Sequence, residues 1–169
     1  MKSVLISIQP KWCELIASGK KTVEVRKTMP KLEPPFKCYI YCTHSKNGVA
    51  YCKGNEILNG KVIGEFVCDC YDGYWFTEND TDIAEFEDVQ LSCVPVDELL
   101  EYANGKCLYF WNISDLVIYD EPKPLTDFAV RECLWHNIRN NGCVDASGEK
   151  CYDCRLKRPP QSWCYVEER

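Results

Sequence analysis

The segment from Gly19 to Arg26 places the tightest constraint on the fold, because a helix stop leads there directly into a short alternating strand. Its residues are Gly19-Lys20-Lys21-Thr22-Val23-Glu24-Val25-Arg26. Side chains alternate between the two faces of a strand, so Glu24 and Arg26 share one face while the two valines cover the core. Lys21 lies at the entrance to the strand. The pattern therefore brings a lysine, a carboxylate and a guanidinium close together.

Lys21, Glu24 and Arg26 predict a site for an anionic or polar ligand. Lys and Arg supply hydrogen-bond donors, and Glu supplies a base that can move a proton. The alternative interpretation is a solvated strand face, on which an exposed Glu/Arg pair contributes little to stability.

The order of strand and helix patterns predicts a mixed α+β fold. The predicted strands cover residues 2–8, 22–27, 38–43, 61–71 and 107–119, and the predicted helices start at Pro10 and cover 96–102 and 128–140. Gly64 predicts a bend or bulge of the kind that turns a barrel strand. Residues 72–88 are expected to form an acidic surface excursion with some helix. This order favours a mixed β-barrel with short peripheral helices over a βαβ sheet.

Length and composition indicate one domain, residues 1–169. Of the 169 residues, 46% are hydrophobic, which is enough for a sizeable core. The apolar run Val4–Ile8 is too short for the core of a signal peptide, and no later run approaches the roughly 18 residues of a membrane span. The thirteen cysteines are an odd number, so we expect mostly buried, reduced thiols. These features predict a cytoplasmic protein with no membrane partner.

The charge is distributed unevenly along the chain. The formal net charge is −6, yet residues 1–53 hold ten Lys/Arg and only three Asp/Glu, whereas residues 54–105 hold one Lys and thirteen Asp/Glu. A positive surface formed by the first third would favour RNA or a nucleotide as partner. The alternative is that the basic first third neutralises the acidic middle in the folded protein.

Three stretches of the sequence carry a resemblance to a known family. They are Ser7-Ile8-Gln9-Pro10-Lys11-Trp12 continued by Ile16 to Lys27, then Lys61-Val62-Ile63-Gly64-Glu65-Phe66, and last Arg158-Pro159-Pro160-Gln161-Ser162-Trp163-Cys164-Tyr165-Val166. They resemble ASCH domains, small β-barrels related to the PUA domain, and the last stretch is similar to a closing strand of longer phage and Firmicute-type members. The resemblance implies a PUA-like barrel, here with a Cys-rich insertion before the last strand.

The resemblance also implies a cleft lined by the Lys of the motif, an acid or Thr, and the Arg. Some ASCH proteins hydrolyse acylated cytidine, and at least one is a ribonuclease. Lys21 matches the lysine that acts in the amidohydrolases, whereas Glu24 stands where those enzymes have a threonine. A carboxylate is a base and not an activated hydroxyl, so this departure counts against the same chemistry. Glu65 is the candidate for the second acid of those enzymes.

Polar residues at both ends of the chain are candidates for the same cleft. Gln9, Gln161 and Ser162 come together if the first and last strands are neighbours, and a Gln amide can read the edge of a base. Trp12 or Trp163 would offer a stacking face. Ordinary core packing of the tryptophans, and glutamine amides that satisfy nearby backbone, are the alternatives.

Cysteines in the predicted insertion, within residues 128–157, suggest a zinc knuckle. Cys143, Cys151 and Cys154 have the spacing C(x7)C(x2)C, and His136 or Cys133 would complete a tetrahedral site. A reduced structural cluster and a redox disulfide are the alternatives. We expect any such zinc ion to anchor the last strand, with no other cofactor in the protein.

Three hypotheses about function follow. The first is an ASCH domain that binds RNA, a nucleotide or a modified nucleoside around Lys21, Glu24 and Arg26, with Gln161 and Ser162 at the rim. The second is a hydrolase in the same cleft, either a nucleoside amidohydrolase or a ribonuclease, with Lys21 and Glu24 as the acid/base pair. The third is a protein-interaction adaptor that uses the acidic segment 72–88.

Overall fold

The computed structural model describes residues 3–45, 48–54, 56–77, 79–80, 82–130 and 155–168. Within these ranges the strands are β1 Ser3–Ile8, β2 Val23–Arg26, β3 Phe36–Cys42, β4 Cys52–Lys53, β5 Glu56–Ile57, β6 Lys61–Cys68, β7 Tyr71–Tyr74, β8 Leu108–Asn112, β9 Ser114–Pro124, β10 Phe128–Val130 and β11 Trp163–Glu168. The helices are α1 Pro10–Ala17, α2 Glu87–Ser92 and α3 Val96–Ala103, with 3-10 turns at Ile83–Glu85 and Leu125–Asp127.

The strands form one large curled sheet and two small ones. The large sheet is a half barrel with six strands in the order β10-β11-β1-β3-β6-β9. Strand β1 pairs in parallel with β3 and antiparallel with β11, so the first and last strands are neighbours as predicted. Three strands form the second sheet in the order β2-β8-β7, and β4 pairs with β5. The predicted α+β fold class is confirmed.

Helix α1 connects β1 to the sequence motif at the start of β2. Pro10 occupies its first turn, where the missing backbone N–H costs nothing, while Cys13 and Ile16 are fully buried. Gly19 follows the helix with φ of 73°, a left-handed conformation in which a side chain would be strained. The helix therefore ends abruptly, and a short connection leads to β2.

Apolar residues pack on both faces of the large sheet. One cluster joins β1, β3 and β6 to α1 and to Trp111 of β8, so it connects the large sheet with the second sheet. A second cluster on the opposite face includes Leu5, Tyr39 and Phe128. A third cluster joins β2 and β8 to α2 and α3. The three clusters hold β1, β2 and α3 in fixed relative positions.

Several predicted elements need correction. Residues 128–130, predicted as the start of a helix, form β10 because they pair with β11 and because the Phe128 ring packs at 4.8 Å from that of Tyr39. The predicted strand 107–119 is divided into β8 and β9. The predicted irregularity at Gly64 is present as register shifts on both sides of this residue in the β6–β9 pairing. Among the described residues, no helix is long and apolar enough to cross a membrane.

Candidate functional site

A cavity of about 770 Å³, which we call the central cavity, lies where β1 and β2 meet α3 and the segment before β11. Its lining includes Gln9, Lys21, Glu24, Arg26, Gln161 and Ser162. This volume lies within the range of small-molecule sites. The cavity therefore brings together the motif trio and the polar residues from both ends of the chain.

Glu24 is the centre of a buried ion triad. Its Oε1 lies 2.9 Å from Arg26 Nη2, and its Oε2 lies 3.4 Å from Lys21 Nζ. All three residues are buried, with Lys21 only 1% exposed. Removing charges from water is costly unless they are paired, so the triad is stable only as a unit. The alternative of a solvated strand face does not describe this structure.

Lys21 is anchored to the backbone at the base of the triad. Its Nζ donates to the carbonyl oxygens of Val23 and Ser92, each at 2.7 Å. The carbonyl of Ser92 is available because α2 ends there, and Thr22 N–H donates to the neighbouring Leu91 oxygen at 3.1 Å. Burial lowers the pKa of Lys21, while the Glu24 carboxylate opposes that shift. These two hydrogen bonds therefore fix the Lys21 ammonium group beside the Glu24 carboxylate.

Two buried polar atoms of the triad have no hydrogen-bond partner among the described residues, namely Glu24 Oε2 and Arg26 Nε. The other end of the Arg26 guanidinium is occupied, since its Nη2 donates to the Ser7 carbonyl at 2.7 Å. A buried polar atom without a partner costs free energy, so such atoms usually indicate a bound molecule or water. Glu24 Oε2 is a hydrogen-bond acceptor, and Arg26 Nε–H is a donor.

Two aromatic side chains with nearby lysines border the central cavity. Trp12 and Tyr102 are both lining residues. Lys11 Nζ lies 4.1 Å from the centre of the Trp12 ring, and Lys27 Nζ lies 4.6 Å from that of Tyr102. Each ring therefore has a lysine ammonium over one of its faces, and Lys11 Nζ also pairs with the Glu98 carboxylate at 2.9 Å.

Ser7 joins the two ends of the chain at the cavity wall. Its Oγ donates to the Pro160 carbonyl at 2.7 Å, and its N–H donates to the Ser162 carbonyl at 2.8 Å. These two bonds fix the backbone on both sides of Gln161, which lines the central cavity. The side chain of Gln9 makes no capping hydrogen bond to α1, so its amide is available to a ligand.

Comparison with known proteins defines the family. The ASCH domain model matches residues 6–134. The chain belongs to the ASCH domain family. Among solved structures it is similar to the ASCH protein from Zymomonas mobilis, with TM-score 0.62, 19% identity, and coverage of 98% of this chain and 88% of that one. A single-residue variant of the same protein gives TM-score 0.61, 18% identity, and coverage of 99% and 91%. A search of curated proteins found no match.

Two predicted site residues of this ASCH domain lie elsewhere. Trp163 is not a lining residue of the central cavity, because its indole donates to Thr28 and its ring lies beside that of Trp111 at 6.4 Å. Glu65 pairs with Lys37 at 2.7 Å and accepts from the Tyr119 hydroxyl, on β6 of the large sheet. It is absent from the cavity lining, so it does not supply a second acid there.

The sequence interpretation missed that α2 and α3 of the ASCH domain contribute to the site. Ser92, which holds Lys21, and Tyr102, which borders the entrance, carry no local pattern that marks them as site residues. His44 also lines the cavity. Only the pairing of distant segments brings these residues to the site.

The metal prediction concerns residues outside the described part of the chain. Cys133, His136, Cys143, Cys151 and Cys154 all lie between residues 131 and 154. Among the described residues, no group of three or more His, Cys, Asp or Glu side chains could hold a metal ion. A zinc ion in the insertion stays a prediction.

Proposed function

We propose that this ASCH domain binds RNA, a nucleotide or a modified nucleoside, with a base in the central cavity. The observation that carries the proposal is the pair of unpartnered buried atoms, Glu24 Oε2 and Arg26 Nε. Glu24 Oε2 accepts a hydrogen bond, and Arg26 Nε–H donates one. A ligand that satisfies both must present a donor and an acceptor.

A heterocyclic base fits this requirement better than a phosphate does. The Watson–Crick edge of a base carries donors and acceptors side by side. An ionised phosphate carries only acceptors, so it would leave Glu24 Oε2 unsatisfied and add a negative charge beside a carboxylate. In this proposal the base contacts the triad in the central cavity, Trp12 and Tyr102 offer their ring faces for stacking, and Lys27 meets the phosphate. Lys11 is held by the Glu98 carboxylate at 2.9 Å, so its contribution to phosphate binding is smaller.

Substitutions at Glu24 and Arg26 that keep a polar side chain test this arrangement. The experiment measures the affinity of a panel of nucleosides, nucleotides and short RNAs by calorimetry for the wild type, Glu24→Gln and Arg26→Lys. Arg26→Lys retains the positive charge but removes the Nε donor together with the Nη2 contacts to Ser7 and Glu24, and Glu24→Gln replaces a purely accepting group. We expect each variant to bind the preferred ligand at least about tenfold more weakly.

The matched control is Lys20→Ala, which removes a neighbouring lysine that is exposed and does not line the cavity. It should bind like the wild type. Binding that is unchanged in both Glu24→Gln and Arg26→Lys, in variants that remain folded by circular dichroism, would exclude the triad from the site.

A second candidate function is hydrolysis in the same cavity. One observation favours it: burial lowers the pKa of Lys21, and its Nζ lies 3.4 Å from Glu24 Oε2 in the lining of the same cavity, so an amine and a carboxylate are present there as a candidate acid and base. The test incubates the wild-type protein with acylated cytidines and short RNAs and identifies products by mass spectrometry. Products that disappear in Lys21→Ala, at a temperature at which this variant is folded, would support an enzyme. Binding without any product would leave the domain a binding module.

A further inference from the structure

A second cavity of about 330 Å³, which we call the aromatic cavity, lies between β7 and the 3-10 turn before α2. Its lining residues are Tyr74, Trp75, Phe76, Asn79, Asp80, Asp82 and Phe86. None of them lines the central cavity. The aromatic cavity is therefore a separate feature of the molecule.

Three rings make a fixed wall for the aromatic cavity. Tyr74 stacks on Phe76 at 5.7 Å, and the Phe86 ring meets both of them edge-on at 5.4 and 6.0 Å. Phe76 is buried in the cluster that joins β2 and β8 to α2 and α3, so this wall is anchored to the core. Trp75 stands apart from these pairs and is 70% exposed. A tryptophan this exposed beside a rigid aromatic wall is a ready contact for a ligand.

The surroundings of this cavity are rich in acidic residues. From residue 62 to residue 105 the sequence contains no Lys or Arg. In the part of the chain that the structure describes, Asp72, Asp80 and Asp88 form no ion pair with a basic side chain. Burial raises the pKa of Asp88, and the charges of Asp72 and Glu87 raise it further, while the Tyr74 hydroxyl opposes this shift. A cation placed close to these carboxylates would stabilise their charged forms.

We propose that the aromatic cavity binds a lysine or arginine side chain from a basic segment of a partner protein. The cation lies over the faces of Trp75 and Phe86, as cations do over aromatic rings within about 6 Å of the ring centre. Asp80 and Asp82 at the cavity edge provide the opposite charge. The same acidic surface repels a phosphate backbone, so protein and RNA meet different faces of this domain.

The test uses fluorescence anisotropy with labelled six-residue peptides that contain two lysines, two arginines, two acetyl-lysines or two glutamates. We expect saturable binding of the lysine and arginine peptides only, weaker at high salt. Trp75→Ala should weaken this binding about fivefold. Asp82→Asn should weaken it about threefold, as for an exposed charge pair.

The control variant is Glu33→Gln, which removes one exposed negative charge outside the aromatic cavity. It should retain the affinity of the wild type, whereas general attraction of a basic peptide to an acidic protein would be weakened equally in Glu33→Gln and Asp82→Asn. That equality, or acetyl-lysine peptides that bind as tightly as lysine peptides, would overturn the proposal. Ligands of the central cavity should not compete with these peptides, so the two proposals stand or fall separately.

Discussion

Glu24 Oε2 lies 3.4 Å from Lys21 Nζ and has no hydrogen-bond partner among the described residues. The lysine therefore offsets the charge of the carboxylate without a hydrogen bond to this oxygen. In the proposed function, the same oxygen is the acceptor that a bound base would satisfy.

Removing Lys21 should destabilise the fold strongly. Lys21→Met leaves two buried carbonyl oxygens without their donor and leaves Glu24 with Arg26 as its remaining cation, and breaking a buried ion pair costs about 3 kcal/mol or more. The measurement is the free energy of unfolding in urea. Lys20→Met, at the exposed neighbouring position, should change it by less than about 0.5 kcal/mol. Equal effects of the two substitutions would contradict the anchoring role of Lys21.

Gly64→Ala should destabilise the large sheet. A Cβ at this position would lie 2.4 Å from the backbone oxygen of Val117, so β6 and β9 must move apart. We expect a loss of about 2 kcal/mol in the free energy of unfolding. Gly73→Ala is the control in β7, because its Cβ would meet only ordinary contacts at 3.5 Å. A smaller loss for Gly64→Ala than for Gly73→Ala would show that the strands do not pack this closely.

Buried thiols should make the protein less stable at alkaline pH. Burial raises the pKa of Cys68 from its ordinary value of 9.0 to about 12. The thiol stays protonated in the folded state while it ionises in the unfolded chain, so its contribution is complete below pH 9 and is lost as the pH rises towards 12. Each such thiol steepens the decline by at most about 1.4 kcal/mol per pH unit.

Urea unfolding at intervals from pH 8 to pH 11, under reducing conditions, measures this slope. Cys68→Ala should decline less steeply than the wild type, whatever its stability at pH 8. Cys52→Ala should keep the wild-type slope because the Cys52 side chain is exposed. Parallel curves for Cys68→Ala and the wild type would contradict the burial of this thiol in the folded state.

Trp12 should contribute stacking energy to a ligand in the central cavity. Trp12→Leu removes the ring that borders the cavity, and loss of one stacked base contact costs about 1 to 3 kcal/mol of binding free energy. Calorimetric titration of the preferred ligand measures the change. Trp75→Leu, in the aromatic cavity, should bind this ligand as the wild type does. If both variants bind normally, the base lies elsewhere in the central cavity.

Local patterns were sufficient to predict the segment from β1 to β2. Strand alternation, Pro10 in the first turn and Gly19 after the helix are signals within a few residues of each other, and they place Glu24 and Arg26 correctly on one side of β2. The fold class followed from the order of such segments and from the family resemblance.

Contacts between distant segments of the chain determine the features that local sequence patterns did not predict. The carbonyl that holds Lys21 belongs to a residue 71 positions later, at the end of a helix that sequence periodicity did not identify. Trp163 follows Ser162 directly, yet it packs towards Trp111 because side chains alternate along β11. Phe128 lies in a helical pattern but forms a strand, since pairing with β11 outweighs local propensity.

The bond from Ser7 to Pro160 spans 153 positions of the chain. Domains generally fold as units, so the cavity around the motif trio is complete only when the segment from residue 155 to residue 168 is also in place. A chain that ended before this segment would keep all three residues of the triad but would lose one wall of the central cavity.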